Sequence, residues 1–400
     1  MKSSRFRVHP SWIIVLAGVS AALHVGKLPP ALPVLQVALG ISLVQAGFLM
    51  SLVQMAGMAL GLLVGLGADS LGLRRCMLVG LAVLSTASFL GGCADHLAAL
   101  LFLRGVEGLG FLLVVMPAPT LIRRTVALEA LGPRLGWWGA YMPLGSAIAL
   151  LIGPWVLADW HWSVWWWSLG LVSALAWVAV WWAVPELAAV RPAAQGPVTR
   201  SEWLPRLRLT VRSPGPWLVA LCFAAYSAQW MAVIGFLPLV YAQMGLAAGI
   251  TGVLTAAVAL VNVSGNVLSG RLVQRGWSAA TVLQLGFAAM AVGAVGAFGQ
   301  WQGEGLVLPL RFASVVFFSA VGGLIPGTLF LMAVRLAPSE NTVTTTVGAM
   351  QQWSALGQFV GPPLVAWVAA GVGGWQWTWV VTVALCLVGG ALAGRVGRLC

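Results

Sequence analysis

The sequence predicts an all-α membrane protein, with twelve transmembrane helices arranged as two pseudo-symmetric six-helix bundles. Composition is the first observation: 60% of the 400 residues are hydrophobic and only 8% are charged. A soluble domain carries about 25% charged residues, so lipid rather than water must solvate most of this surface. The second is a series of twelve apolar runs, each near the ~20 residues of helix needed to cross the hydrocarbon core. The third is a set of marker residues that recurs at an offset of 205.

In chain order the runs lie at roughly 11–34, 43–66, 75–94, 97–121, 135–157, 164–184, 216–241, 249–271, 279–299, 305–334, 343–371 and 376–394. Basic residues test this division. Three of the 21 Lys and Arg fall inside runs: Lys27, Arg104 and Arg311. The other 18 lie on one side if both termini are cytoplasmic, from the N-terminal Lys2, Arg5 and Arg7 to Arg395 and Arg398. The opposite connections hold Asp95, Asp159 and Glu304 and no basic residue. Such a bias follows the positive-inside rule, and an error of one span would scramble it. It predicts a multi-pass protein of a bacterial inner membrane with cytoplasmic termini. The tryptophans of 160–167 and 375–379 sit where aromatic belts are expected.

The first run follows Lys2, Arg5 and Arg7, as a signal peptide would. It has a counterpart in the second half of the chain, so it is read as a mature helix. Between runs six and seven lies the longest polar segment, about 185–216, rich in Arg and Pro. It reads as a cytoplasmic linker. The expected organisation is an N-terminal half at 1–185, a linker at 186–214 and a C-terminal half at 215–400.

A net charge of +12 invites a nucleic-acid reading. The basic residues instead form short clusters between apolar runs, with no soluble basic face to carry nucleic acid. The five cysteines show no CxxC pair or Cys/His cluster, so neither a disulfide framework, a metal site nor a cofactor is expected. No nucleophile–base set for a conventional enzyme is visible.

At the offset of 205, Trp12 meets Trp217, Pro33 meets Pro238, Gly40 meets Gly245, Gly47 meets Gly252 and Gly65 meets Gly270. With a few residues of slippage, Gly153-Pro154 matches Gly361-Pro362. Six helices per repeat is an even number, so both copies enter the membrane from the same side. The halves are then parallel repeats about the membrane normal, with a solute site expected at the midplane between them.

The segment Gly65-Leu-Gly-Ala-Asp69-Ser-Leu-Gly72-Leu-Arg74-Arg75 resembles the signature loop of the major facilitator superfamily. In the second half, Gly270-Arg271-Leu-Val-Gln274-Arg275-Gly276 is similar, with Gln in place of the aspartate. Arg104-x-x-Glu107-Gly108-x-Gly110 is similar to that family's span-four motif. Gly145 and Gly153-Pro154 are present, without the further glycines of its exporter-type motif, which weakens an antiporter reading. Lys27-Leu-Pro-Pro-Ala-Leu, and the stretches at 323–330 and 357–363, resemble the cyanate- and nitroimidazole-transporter-like branch. The resemblance spans essentially the whole chain and implies a monomeric secondary transporter. Apart from it, Asp69 at a helix terminus or beside an arginine would form a contact that can break, a gate built from Gly65, Asp69, Gly72, Arg74 and Arg75. Alternatively, Arg74 and Arg75 are topology signals only.

Four ionisable residues lie within the runs: Lys27, Arg104, Glu107 and Arg311. A charge at a helix centre costs ~2.5–3.5 kcal/mol on insertion scales, so it marks a functional hypothesis. Lys27 sits near the midplane with His24 one turn earlier on the same face. It either lines a cavity, binding an anion, or snorkels outward. Arg104 and Glu107, spaced i, i+3, either pair as structure or take part in proton coupling. Arg311 lies near a span end, where snorkelling competes with a solute role. Tyr141, Gln229 and Gln351 complete the candidate substrate-binding set, with Gln54, Tyr226, Asn262, Asn266, Gln352 and Gln358 as further polar lining or interhelical glue.

No Walker sequence is present, so ATP is not the direct driver. The expectation is a secondary transporter of a small organic or inorganic anion, with the proton as candidate coupling ion, because cations exceed acids three to one within the runs. Two alternatives stay open: an exporter of hydrophobic or cationic drugs through Glu107, and a non-transport membrane sensor or assembly factor.

Overall fold

The computed structural model describes residues 9–62, 72–127, 134, 137–186, 200–301 and 303–399. Among them are twelve helices long and apolar enough to cross a membrane. The first six are α1 (Pro10–Leu39), α2 (Leu43–Leu62), α3 (Leu73–Gly91), α4 (Leu97–Thr125), α5 (Tyr141–Asp159) and α6 (Trp162–Ala183). The second six are α7 (Pro214–Gln243), α8 (Ala248–Gln274), α9 (Ala279–Phe298), α10 (Leu308–Arg335), α11 (Val343–Val372) and α12 (Thr378–Val396). A two-stranded hairpin, β1 (Gln300–Trp301) and β2 (Glu304–Gly305), joins α9 to α10.

The twelve expected runs all become helices, and one local expectation changes. Arg123 and Arg124 were expected in a connection, but close the last turn of α4, where cations favour the negative end of the helix dipole. Within the segment read as the linker, Arg200–Arg212 is helical. Pro205 lies inside it without ending it, and Leu204, Leu207 and Arg208 are good helix formers.

Proline dictates the shape of α1. Pro29 and Pro30 lack the N–H groups that would bond the Val25 and Gly26 carbonyls, and the helix is interrupted at Lys27. The carbonyls freed there must find other donors. Similar breaks fall at Met116-Pro117 in α4 and at Gly323, ahead of Pro326, in α10.

Small residues set the helix spacing, as expected where lipid supplies no drive for association. Gly80 of α3 and Gly110 of α4 face each other: a Cβ on either would come within 2.7–2.8 Å of the other's carbonyl oxygen. Gly145 packs on Val19 and Ala22 of α1, and Gly153 on Pro30. Gly357 and Gly361 of α11 lie on the carbonyls of Ala224 and Ala228 in α7. Gly348 approaches Leu62, whereas Gly139 has open space around it.

The internal repeat has a structural counterpart. Gly40 and Gly245 both end a helix with positive φ, +61° and +80°, which a β-carbon would strain. Gly47 of α2 packs on Pro362 and Pro363 of α11, and Gly252 of α8 packs on Leu150 and Pro154 of α5. The two glycines matched by the offset thus meet the two Gly-Pro pairs matched with slippage. The bundles embrace each other through two equivalent seams, α2 with α11 and α8 with α5.

Apolar cores follow this division. One cluster fills the second bundle, with Phe223, Phe287, Phe318 and Met332 at its centre. Another binds α1, α3, α4 and α6 through Ile14, Met77, Val114 and Val180. A third joins the bundles: Leu32 and Leu35 of α1 and Leu49 of α2 meet Phe236 and Leu239 of α7 and Val365 of α11.

Candidate functional site

The interruption of α1 creates the most charged interior point among the described residues. Arg104 on α4 donates Nη1–H to the His24 carbonyl at 2.5 Å, and its Nε–H to the Leu49 carbonyl at 3.2 Å. Trp165 of α6 donates its indole N–H to the Lys27 carbonyl at 3.1 Å. Side chains thus tie the backbone on both sides of the break to α4 and α6.

The charged side chains converge on one carboxylate. Glu107 Oε1 accepts the Lys27 ammonium, and Glu107 Oε2 accepts Arg104 Nη1 at 2.7 Å. His24 Nδ1 lies 3.5 Å from the same Oε1. Lys27 also donates to Ser88 Oγ at 3.1 Å, and that hydroxyl donates to the Trp166 carbonyl at 2.8 Å. The ammonium stands 4.7 Å from the Trp166 ring centre, within reach of its π-face. His24 Nε2 meets Ser173 Oγ at 2.8 Å, and Ser20 meets the same hydroxyl at 3.0 Å. His24 and Lys27 are 0% exposed, Arg104 2% and Glu107 1%.

Helix packing holds this arrangement. Gly108 lets α4 lie on the Val53 backbone of α2, and Gly110 lets it lie on Gly80. These are the two glycines of the span-four motif. Gly26 and Gly145 bring α5 against the α1 turn that carries His24 and Lys27. Burial this complete makes each charge expensive unless paired. Arg104 Nη2 nevertheless has no hydrogen-bond partner among the described residues.

Lys27 was expected either to line an open cavity or to snorkel. It does neither here, because the Pro29-Pro30 break folds it inward onto Glu107. The i, i+3 pairing of Arg104 with Glu107 is present and extends to Lys27, 80 residues away. Pattern alone carries no sign of that third partner. Ser88, Ser173 and Trp166 were also missed, since hydroxyls and indoles in a span read as packing residues.

The remaining candidates do not join the cluster. Tyr141 stacks on Trp138 with ring centres 4.4 Å apart. Gln229 is buried in the second bundle, donating to the Ala225 carbonyl at 3.1 Å and facing Cys386 Sγ at 3.1 Å. Gln351 is half-buried on α11. Arg311 lies far along the fold, in a cleft lined by Tyr241, Gln243 and Trp375 at the face opposite the termini. Its expected place near a span end agrees with its position as the fourth residue of α10.

Of the gating loop, Gly65 and Asp69 lie outside the described residues. Gly72 precedes α3 with φ of +85°. Arg74 donates to the Trp181 carbonyl at 2.6 Å and covers that ring, and Arg75 pairs with Glu186 at 2.7 Å. Both arginines hold the end of α6 in their own bundle, and the expected gate contact of Asp69 lies outside the described residues.

Glue between the bundles comes from uncharged side chains. Gln54 of α2 donates to Gln358 of α11 at 3.0 Å, and Gln352 of α11 donates to the Met58 carbonyl of α2 at 2.7 Å. Within the second bundle, Asn262 donates to Tyr226 at 3.0 Å and to the Ser319 carbonyl at 2.9 Å.

Residues 14–362 match the family model described as Major Facilitator Superfamily. The chain is 26% identical over 392 residues to the cyanate transport protein CynX of Escherichia coli (strain K12), covering 94% of each protein. It is also 33% identical over 138 residues to the puromycin resistance protein pur8 of Streptomyces alboniger, a match covering 34% of this chain and 27% of that protein. Among solved structures, it is similar to a bacterial homologue of the human lysosomal transporter Spinster in an inward-facing, occupied conformation. That match has a TM-score of 0.79 and 14% identity, and covers 97% of this chain and 96% of the other. A D-xylose-proton symporter matches with a TM-score of 0.73 and 14% identity, over 96% of each chain.

Proposed function

The chain belongs to the major facilitator superfamily, and on that premise we propose that it is a secondary active transporter of a small anion, coupled to a proton, with Lys27, Arg104 and Glu107 as its ion-binding centre. The observation that carries this reading is the charge of the buried cluster. Two cations, Lys27 and Arg104, share one carboxylate, Glu107. With His24 neutral, the site holds a net charge of +1, and Arg104 Nη2 still lacks an acceptor. An uncompensated cation in a low-dielectric interior favours a mobile anion as its counter-charge. The similarity to a cyanate transport protein along 94% of the chain supports the same class of solute.

Proton coupling follows from competition for the same donors. An anion that takes the Lys27 ammonium and the free Arg104 Nη2 leaves Glu107 short of partners. A bare carboxylate in that interior is costly, so Glu107 takes up a proton as the anion binds. One anion and one proton then cross together, and the carrier's charge does not change between its loaded and empty forms. Glu107 is the one buried acidic residue in the described spans, the other, Asp159, being the exposed last residue of α5, so Glu107 is the carboxylate available for the task. The halves, 1–185 and 215–400, would rock about this centre, with the segment at 186–214 joining them and both termini cytoplasmic.

A drug-exporter reading has the partial similarity to a puromycin resistance protein in its favour. It requires Glu107 to meet a cationic solute, but two protein cations already occupy that carboxylate. The anion reading therefore accounts for more of the geometry.

Thermal stability of the detergent-purified chain with cyanate, nitrate and formate tests the proposal. A ligand at 100 times its Kd adds about 2.7 kcal/mol to the state that binds it. The expected result is a saturable rise in Tm with at least one of these anions, absent in Lys27→Met. An equal rise in that variant, or none with any small anion, would sink the anion reading.

A further inference from the structure

The connection between α9 and α10 builds a second polar site, remote from Lys27. Arg311 lies in the first turn of α10, and its guanidinium packs against Gly305 of β2. Gly305 permits this, because a Cβ there would collide with Arg311 Nη2. The guanidinium makes no ion pair among the described residues, and its buried Nε–H has no acceptor. Glu304, one residue before Gly305, is exposed and does not pair with it.

The same cleft holds a second unsatisfied donor. Tyr241 is 2% exposed, and its hydroxyl is buried without a hydrogen-bond partner. Buried hydroxyls are ordinarily satisfied, and each exception needs a physical cause. Phe298 and Trp375 add aromatic walls, and Gln243 is held by the Trp375 indole at 2.8 Å. The cleft shares no lining residue with the Lys27 cluster.

Two orphaned donors, one of them cationic, beside aromatic walls form the complement of a carboxylate attached to an apolar body. We propose that this cleft is a second, peripheral binding site for a small organic carboxylate, which seats its oxygens on Arg311 and Tyr241 and its apolar part against Phe298 and Trp375. Charge-assisted bonds to a guanidinium supply the selectivity for an anion, and the aromatic walls select against bare inorganic ions. The site belongs to the face opposite the chain termini, so a solute would meet it before reaching the interior from that side.

Benzoate is the probe, with benzamide as its uncharged isostere, in Tm titrations of the full-length detergent-purified chain. Wild type should show a saturable benzoate shift and none with benzamide. Arg311→Gln should raise the apparent Kd roughly ten-fold or more, and Tyr241→Phe by a smaller factor of roughly two to ten. Gly305→Ala, which leaves both donors in the sequence but crowds the guanidinium, should weaken benzoate as well. It also keeps the proposal testable if Arg311→Gln fails to fold. Lys27→Met should retain the benzoate shift in full. No wild-type shift, equal shifts for benzoate and benzamide, a shift unchanged in Arg311→Gln, or loss only in Lys27→Met would each overturn the site. Displacement of benzoate by phosphatidylglycerol would assign the cleft to a lipid headgroup and overturn its assignment to a soluble carboxylate.

Discussion

Lys27 on α1 and Glu107 on α4 form an ion pair in which the lysine is 0% and the carboxylate residue 1% exposed. Each charge depends on the other. Arg104, the second cation on that carboxylate, is anchored on the His24 carbonyl one turn before Lys27, so the interrupted turn of α1 contacts both cations.

Removing the carboxylate should therefore cost more than removing either cation. Glu107→Gln leaves two buried cations facing each other and should destabilise the chain by about 3–5 kcal/mol. Lys27→Met leaves Arg104 paired with Glu107 and should cost less. The double variant Lys27→Met/Glu107→Gln should be more stable than Glu107→Gln alone, by at least about 1 kcal/mol. Unfolding in detergent measures all three; additive losses would show that the pair is not coupled.

The seam between α2 and α11 is close enough to be locked. A Cβ at Gly57 would lie 3.1 Å from the Ala355 Cβ, just under the usual ~3.5–4.5 Å of a disulfide. In a background without the native cysteines, Gly57→Cys/Ala355→Cys should form a disulfide under mild oxidant and stop transport. Dithiothreitol should restore it. Full transport by the oxidised form would show that this seam does not open during the cycle.

Overpacking the α7–α11 contact should destabilise without touching a charge. Gly361→Ala places a methyl against the Ala228 carbonyl, and such insertions cost about 1–3 kcal/mol. The prediction is a lower Tm with unchanged anion selectivity, read from the same titrations in both proteins.

The Arg75–Glu186 pair offers a contrast. Its side chains are 73% and 57% exposed, and exposed pairs contribute about 0–1 kcal/mol. Glu186→Gln should leave Tm nearly unchanged. A large drop would mean that the end of α6 depends on this contact.

How much was legible beforehand depends on the range of the interaction. The spans were readable because each is a local property: twenty apolar residues bounded by polar ones. The repeat was readable because a glycine or proline fills the same geometric need in each copy, as Gly47 and Gly252 do at their two seams. Lys27, Arg104 and Glu107 were each identifiable as costly charges in lipid. Their convergence was not, because it depends on the direction α1 takes after Pro29-Pro30 and on how closely Gly108 and Gly110 let α4 approach. Arg311 shows the converse. Its place near a span end was legible, but the cleft it shares with Tyr241 and Trp375 from the first turn of α10 was not, because those residues lie elsewhere in the chain. The linker helix escaped notice because its prolines and arginines outweighed, in pattern, the leucines spaced along it.

The account rests on a buried excess of positive charge serving a mobile anion, and radiolabelled cyanate uptake into proteoliposomes with an imposed inward proton gradient tests it most directly. Wild type should accumulate cyanate above equilibrium, with Lys27→Met at the level of empty liposomes and Glu107→Gln unable to concentrate it. Uptake by a correctly folded Lys27→Met protein at the wild-type rate would contradict it.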